Sequence, residues 1–284
     1  NYNSMTMKKI NIIIVIISLL VVSSCDDFLD KTPTNYGEST TSIKTAADAA
    51  VMINGVMSKM CSSSYYGRNM FLYGDAKGGD LTIYSGGRGN DALFVFNHSE
   101  TSGTYSGFWT LGYNIILQLN NIIANIDKME KEGSSEDFDN YKGQALTLRA
   151  MVYYDLVRLY GKPYNYDKSA LGVPDVSEVL DANAQVGRAT VEMNYKLIES
   201  DLAAGEKLIS SDVGGDMNGK INYYGNLALQ ARVALSKDDF TTALAKAEQI
   251  INSKKYSLYS NAEWASSWSK QYASESIFEL AMYD

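Results

Sequence analysis

The sequence predicts a mainly α-helical fold, in which helical hairpins are interrupted by long glycine-rich loops. Apolar residues recur every three or four positions over several long stretches, which is the period of a helix with one buried face. Only 3 prolines occur in 284 residues, so long helices are seldom interrupted. Alanines and one leucine stand at helical spacing in the last predicted pair of helices, at Ala231, Ala234, Ala243, Leu244 and Ala247. Because small side chains let two helices approach closely, we predict a scaffold that resembles a tetratricopeptide (TPR) stack.

The first helix is predicted to run from an N-cap at Ser42 to about Cys61. Its predicted core face comprises Ala46, Ala49, Ile53, Val56 and Met60. Residues 62–107, which follow, are rich in glycine and show no comparable period. We predict a long loop system there, with at most a short hairpin. Long loops inside a compact domain are usually functional.

The clearest helix is predicted over residues 108–129, where a continuous apolar stripe has spacings of three and four. The stripe comprises Phe108, Leu111, Ile115, Leu119, Ile122, Ile126 and Met129. A second long helix is predicted over residues 141–160. Its apolar face comprises Ala145, Leu148, Val152, Leu156 and Leu159. This helix is expected to end at Gly161, because Pro163 cannot continue it.

Thr190 is predicted to cap the next helix, since a threonine hydroxyl accepts a hydrogen bond from a free N–H of the first turn. The apolar stripe of this helix comprises Val191, Tyr195, Ile198 and Leu202. Two further helices are predicted over residues 224–235 and 240–252, joined by a short turn. Residues 275–284 are predicted to form a strand or a core segment.

The N-terminus has the pattern of an export signal. Lys8 and Lys9 precede an apolar run from Ile10 to Val22, and small residues then lead to Cys25. At about 13 residues, the run is shorter than the roughly 20 that a membrane-spanning helix needs. The alternative is an N-terminal anchor helix that is never cleaved. Small residues directly before a cysteine resemble a bacterial lipobox, which implies cleavage before Cys25 and lipidation of that residue.

These patterns divide the chain into three segments. Residues 1–24 are predicted to be a lipoprotein signal peptide, residues 25–42 a polar tether, and residues 43–284 a helical domain. The domain shows no closing helix or polar tail, so we expect it to be truncated at its C-terminus. A lipidated Cys25 leaves Cys61 without a disulfide partner, and we predict Cys61 to be a small buried residue on a helix.

Charge and composition exclude several classes of function. The net charge is −8, whereas a nucleic-acid-binding protein needs a basic face. One histidine and two cysteines cannot supply a zinc site of several such ligands. The sequence contains neither a phosphate-binding loop nor a nucleophile elbow, and the lone His98 lacks an orienting set of catalytic groups. We therefore predict no catalytic residue, no metal and no cofactor.

The candidate ligand-binding residues lie in the glycine-rich segment. Sugars stack their C–H faces on aromatic rings, and their hydroxyls form hydrogen bonds with Asn, Asp and Arg. Tyr84 with Arg88, Asn90 and Asp91 offers one ring and three polar partners in a short span, and Arg68 lies upstream. Further candidates in the segment, each of which can equally cover a helix end, are Tyr65, Tyr66, Tyr73, Phe96 and Asn97.

Several stretches, in a fixed order along the chain, carry a family pattern. They are Cys25-Asp26-Asp27-Phe28-Leu29-Asp30, Trp109 to Ile116 with Asn120 and Asn121, Gly143 to Ala150, Tyr153 to Val157, Leu159-Tyr160-Gly161, Gly172-Val173-Pro174 and Ala231-Arg232. In combination they resemble the SusD/RagB family of outer-membrane nutrient-binding lipoproteins. One departure is Phe240, which stands where tryptophan is common in the family.

The resemblance implies a TPR-scaffolded binding protein without catalytic activity. It implies a lipid-anchored protein on the cell surface that caps a SusC-type TonB-dependent transporter and delivers oligosaccharides or peptides to it. Ligand residues of the family lie in variable loops, so the resemblance assigns none to this chain. Two other functions stay open, namely a glycan-degrading enzyme of the same surface system and a helical adaptor that binds only protein.

Overall fold

A computed structural model describes residues 43–82, 94–97, 103–181, 183–212 and 219–282. The predicted signal peptide, the tether and Cys25 lie outside these residues. The described helices are α1 (Ala46–Met60), α2 (Asn69–Gly78), α3 (Gly103–Lys131), α4 (Asp139–Tyr160), α5 (Tyr164–Asp167), α6 (Val191–Leu208), α7 (Tyr223–Leu235), α8 (Phe240–Asn252) and α9 (Trp264–Ser267). The predicted mainly α-helical fold is therefore confirmed.

The core forms where α4 packs against α3 on one side and α6 on the other, while α7 packs against α8. The predicted stripe of α3 is largely buried, because Phe108, Ile115, Leu119, Ile122 and Ile126 are each at most 1% exposed. The predicted stripe of α6 is buried as well. Apolar periodicity therefore identified the faces of both helices correctly.

Helix caps follow the predicted chemistry, with one correction. The Thr190 hydroxyl accepts a hydrogen bond from the Met193 amide at the start of α6, as predicted. The first helix, however, is capped by Thr45 and not by Ser42. Thr45 and Asp48 form a reciprocal capping box, in which each side chain accepts a hydrogen bond from the backbone N–H of the other residue.

Two short strands, which the sequence did not predict, lie between α5 and α6. β1 (Leu171–Pro174) pairs antiparallel with β2 (Arg188–Thr190). The Asn194 side chain, on α6, fixes β1 through two hydrogen bonds. It accepts one from the Val173 amide at 2.8 Å and donates one to the Val173 carbonyl at 2.9 Å. A short ribbon fixed by one side chain of a helix leaves no alternating pattern in the sequence.

The glycine-rich segment is more ordered than predicted. Residues 69–78 form α2, and α3 begins at Gly103, before the predicted start. Gly74 and Gly78 lower the intrinsic helix propensity of α2. Burial of Tyr73 and Ala76 in the core compensates for this loss.

The predicted close approach of α7 and α8 is confirmed in part. Ala234 and Ala243 are buried between the two helices. Leu244, in contrast, points away from α7 and is 60% exposed. It shares one exposed apolar face of α8 with Phe240 and Ile251.

The end of the described chain is a packed segment without strand pairing. Residues 275–280 are half-buried and lie against α7. Cys61 caps α1 and is half-buried, with its thiol 3.4 Å from the carbonyl oxygens of Met57 and Ala281. The prediction that Cys61 is buried on a helix is therefore correct only in part. In the described part of the chain, no helix has both the length and the hydropathy needed to cross a membrane.

Candidate functional site

A cavity of about 530 Å³ lies between α7, the turn before α2, and residues 271–282. This volume falls in the range of small-molecule sites. We call it the Tyr66 cavity. Its wall is formed by Tyr66, Phe71, Met151, Ile221, Gly225, Ala228, Leu229, Arg232, Gln271, Tyr272 and residues 277–282.

Tyr66 is held on the cavity wall by a buried carboxylate. Its hydroxyl donates a hydrogen bond to Oδ2 of Asp155 at 2.7 Å, and the Tyr65 hydroxyl donates to the same oxygen at 2.7 Å. Asp155 is only 1% exposed, and its Oδ1 accepts a hydrogen bond from Arg158 at 2.7 Å. Hydrogen bonds to a carboxylate are stronger than neutral ones, so this cluster fixes the direction of the Tyr66 ring.

The electrostatics of this cluster keep Tyr66 neutral. Burial raises the pKa of the Tyr66 hydroxyl well above its usual value, and the negative charge of Asp155 raises it further. The positive charges of Arg232 and Arg158 lower the pKa of Tyr66 only in part. Tyr66 therefore stays a hydrogen-bond donor to Asp155 and presents an aromatic surface to the cavity.

Phe71 and Arg232 form the solvent-facing part of the wall. Phe71 is 58% exposed, and its ring lies 6.2 Å from the Tyr66 ring at an angle of 68°. Arg232 lies on α7, and its side chain is exposed to solvent. This part of the wall thus combines the rings of Tyr66 and Phe71 with a planar cation that carries several hydrogen-bond donors.

Residues 271–282 are attached to the start of α7 by Asn222. The Asn222 side chain caps α7 by accepting a hydrogen bond from the Gly225 amide, and it donates one to the Ile277 carbonyl at 3.1 Å. Gly225 leaves room for the Ile221 side chain, because a Cβ there would lie 2.8 Å from Ile221, whereas its 3.5 Å distance from Phe278 would be an ordinary contact. The carboxylate of Glu279 accepts hydrogen bonds from the Tyr272 amide and the Ser276 hydroxyl, which closes the segment on itself.

Of Arg68 and the Tyr84 group, which the sequence predicts to bind the ligand, the structure describes only Arg68. Arg68 precedes α2 and is exposed, and its guanidinium donates a hydrogen bond to the Asn69 side chain. Tyr84, Arg88, Asn90 and Asp91 lie outside the described residues, so their grouping stays a prediction.

Some aromatic residues upstream of α2 and within it are buried in the hydrophobic core, and others line the Tyr66 cavity. Tyr65 is 1% exposed and Tyr73 is 2% exposed, so both belong to the core, and of the two roles left open for them neither ring is available to a sugar. Tyr66 is half-buried and reaches the cavity. Phe96 is 64% exposed and has a left-handed backbone, with φ of 55°.

The site can hold a ligand through apolar and aromatic contact. Glu279 in the wall accepts amide and hydroxyl hydrogen bonds, and Asp155 behind the wall accepts hydrogen bonds from tyrosine hydroxyls and a guanidinium. In the described ranges, no group of three or more His, Cys, Asp or Glu side chains could bind a metal ion. The arrangement favours binding and orientation of a ligand that has both apolar faces and polar groups.

Sequence reasoning missed most of this wall. Phe71 and Arg232 lie on different helices, and residues 271–282 reach them only through the fold. The glycine-rich composition of residues 62–107 was the one sequence feature that made Tyr66 a candidate, and it made Tyr65 a candidate equally.

Comparison with known proteins identifies the family of the chain. A family model described as "Starch-binding associating with outer membrane", SusD-like, matches residues 27–235. The chain belongs to the SusD-like family. A SusD-like relative, SusD-like protein P2 of Formosa agariphila, is 30% identical over 251 residues, which cover 87% of this chain and 47% of P2.

Solved structures of the SusD superfamily share the fold. A SusD superfamily protein from Bacteroides vulgatus matches with a TM-score of 0.78 and 30% identity, over 85% of this chain and 56% of its own. One from Bacteroides thetaiotaomicron matches with a TM-score of 0.75 and 30% identity, over 84% of this chain and 53% of its own. This SusD-like chain thus spans about half the length of these relatives.

The SusD-like match confirms the family that the motifs indicated. It covers residues 27–235, which include the α3, α4 and α7 motifs quoted above.

Proposed function

We propose that the protein is a cell-surface lipoprotein that binds oligosaccharides and delivers them to a SusC-type TonB-dependent transporter. The single observation that carries the proposal is the Tyr66 cavity, with its aromatic wall, in a SusD-like chain. The rings of Tyr66 and Phe71 offer surfaces for the C–H faces of a sugar, and Arg232 offers hydrogen bonds to its hydroxyls.

The proposal includes binding without bond cleavage. Hydrolysis of a glycosidic bond needs two carboxyl groups facing the scissile bond, one of them able to give a proton. Glu279 lines the cavity but is bound to its own segment, and Asp155 lies outside the cavity wall, covered by Tyr65, Tyr66 and Arg158. We therefore propose that the chain is not an enzyme.

The choice between cavity and loop can be made by mutation. We expect Phe71→Ala to weaken binding of maltoheptaose about tenfold, as measured by isothermal titration calorimetry, because the variant loses one stacking surface. Since Phe71 is 58% exposed, the melting temperature should change little.

Tyr84→Ala is the matched variant in the glycine-rich segment. If Tyr84 stacks on the sugar with Arg88, Asn90 and Asp91, its loss should cost about 0.5–1.5 kcal/mol of binding free energy. Unchanged binding in Phe71→Ala together with a loss in Tyr84→Ala would move the site from the cavity to the loop. Unchanged binding in both variants would contradict the proposed site altogether.

The lipid anchor has a test of its own. We expect Cys25→Ala to abolish labelling with radioactive palmitate and to leave an unprocessed precursor, because the thioether to lipid needs the Cys25 thiol. The control is Cys61→Ala, which keeps Cys25 and should label normally. Undiminished labelling of Cys25→Ala would show that the lipobox assignment is wrong.

A further inference from the structure

Two tryptophans are exposed to solvent close to the Tyr66 cavity. Trp264 begins α9 and Trp268 follows its end, and their exposed fractions are 54% and 79%. The third tryptophan of the chain, Trp109, is instead half-buried and packs against Tyr113 and Tyr160. An accessible indole ring presents an aromatic face on which the C–H face of a sugar can stack.

The two rings have a defined mutual geometry. Their centroids lie 5.8 Å apart and their planes form an angle of 85°, which is an edge-to-face pair. Trp264 and Trp268 therefore form two walls at nearly a right angle. One wall can receive the flat C–H face of a pyranose ring, while the other limits the direction in which that ring lies.

The surroundings of the pair favour a sugar over a protein partner. Residues 260–271 contain serine, asparagine, glutamate, lysine and glutamine, and alanine is the only aliphatic residue type among them. Serine, lysine, glutamate and alanine are depleted in protein–protein interfaces. Asn261, Lys270 and Gln271 are exposed and can form hydrogen bonds to sugar hydroxyls.

The pair also lies near the cavity along the chain. Gln271 contributes to the wall of the Tyr66 cavity and follows Trp268 by three residues. Three residues of extended chain span at most about 11 Å, so the Cα atoms of these two residues lie within that distance. An oligosaccharide that occupies the cavity can therefore reach the pair if it has additional sugar units.

We propose that Trp264 and Trp268 form a second contact site for the glycan, on which a sugar unit outside the cavity stacks. The inference rests on the proposed function and specifies the ligand class as neutral oligosaccharides longer than the cavity can hold. A longer oligosaccharide should therefore bind more tightly than a short one of the same type, and the difference should depend on the two indole rings.

The test compares short and long oligosaccharides of one type. The purified chain and the double variant Trp264→Ala/Trp268→Ala are titrated with maltotriose and maltoheptaose, and with matched short and long oligosaccharides of xylan and mannan. We expect the double variant to bind the long oligosaccharide about tenfold more weakly and the short one with less than about a twofold change. The double variant Trp264→Phe/Trp268→Phe, which keeps two aromatic rings, should recover most of the affinity.

The controls separate binding from folding. Tyr166→Ala removes another exposed aromatic ring, 77% exposed, and should bind as the unmodified chain does. Equal affinity of the unmodified chain and Trp264→Ala/Trp268→Ala for the long oligosaccharide would overturn the inference alone. Equal losses for short and long oligosaccharides would also overturn it. Failure of the unmodified chain to bind any oligosaccharide would overturn the proposed function and the inference together.

Discussion

Replacing Arg149 with methionine is expected to lower the free energy of unfolding by about 3–5 kcal/mol. Arg149 forms a two-point ion pair with Asp201, in which both N···O distances are 2.7 Å and both side chains are 6% exposed. Arg149 also donates hydrogen bonds to the Asn120 side chain and the Ser177 carbonyl, both at 2.8 Å. The substitution leaves a carboxylate buried between α4 and α6 without a partner.

The pH dependence of this loss has a definite sign. Burial raises the pKa of Asp201, and the Arg149 charge opposes that rise. In Arg149→Met the pKa of Asp201 should rise further, so the folded state binds a proton that the unfolded state releases. Stability therefore falls as pH rises, and the deficit of Arg149→Met should be larger at about pH 8 than at about pH 5.

A double variant supplies the control for the ion pair. Arg149→Met/Asp201→Leu removes both charges and should recover much of the lost stability, because no unpaired charge stays buried. The measurement is urea unfolding followed by circular dichroism. A loss below about 1 kcal/mol in Arg149→Met would show that the pair contributes no more than an exposed ion pair.

Phe108→Ala is expected to cost about 3–5 kcal/mol, because it leaves a cavity in the centre of the aromatic core. The Phe108 ring is 1% exposed and lies 4.9 Å from the Tyr65 ring at 84°, and it also contacts Tyr73 and Tyr160. The matched control is Phe240→Ala, since Phe240 is 63% exposed on α8 and its loss should change stability by less than about 0.5 kcal/mol. Similar losses in both variants would contradict the assigned core.

Local sequence patterns were sufficient for the long helices and insufficient for the site. The spacing of Ile115, Leu119 and Ile122 is sufficient to predict the buried face of α3, because all three lie on the same side of that helix. Tyr65 and Tyr66 are adjacent and chemically identical, yet one belongs to the core and the other reaches the cavity. Asp155, about 90 residues away, accepts both hydroxyls, and no local pattern contains that contact.

Glycine content misled the loop prediction for residues 69–78 in a similar way. Gly74 and Gly78 lower the intrinsic helix propensity of these residues. The stability of α2 comes instead from the burial of Tyr73 and Ala76 in the core. The sequence analysis did not single out Trp264 and Trp268. The sequence feature that accompanies the proposed stacking site is the lack of aliphatic neighbours other than alanine in residues 260–271.

Glycan binding without cleavage, as proposed for this SusD-like chain, is tested most directly by titration. The purified chain is titrated with neutral oligosaccharides and followed by calorimetry, while new reducing ends are assayed in the same samples. We expect saturable binding of at least one oligosaccharide, weakened by Phe71→Ala, with no increase in reducing ends. Accumulation of reducing ends, or absence of binding to every oligosaccharide while the chain stays folded, would contradict it.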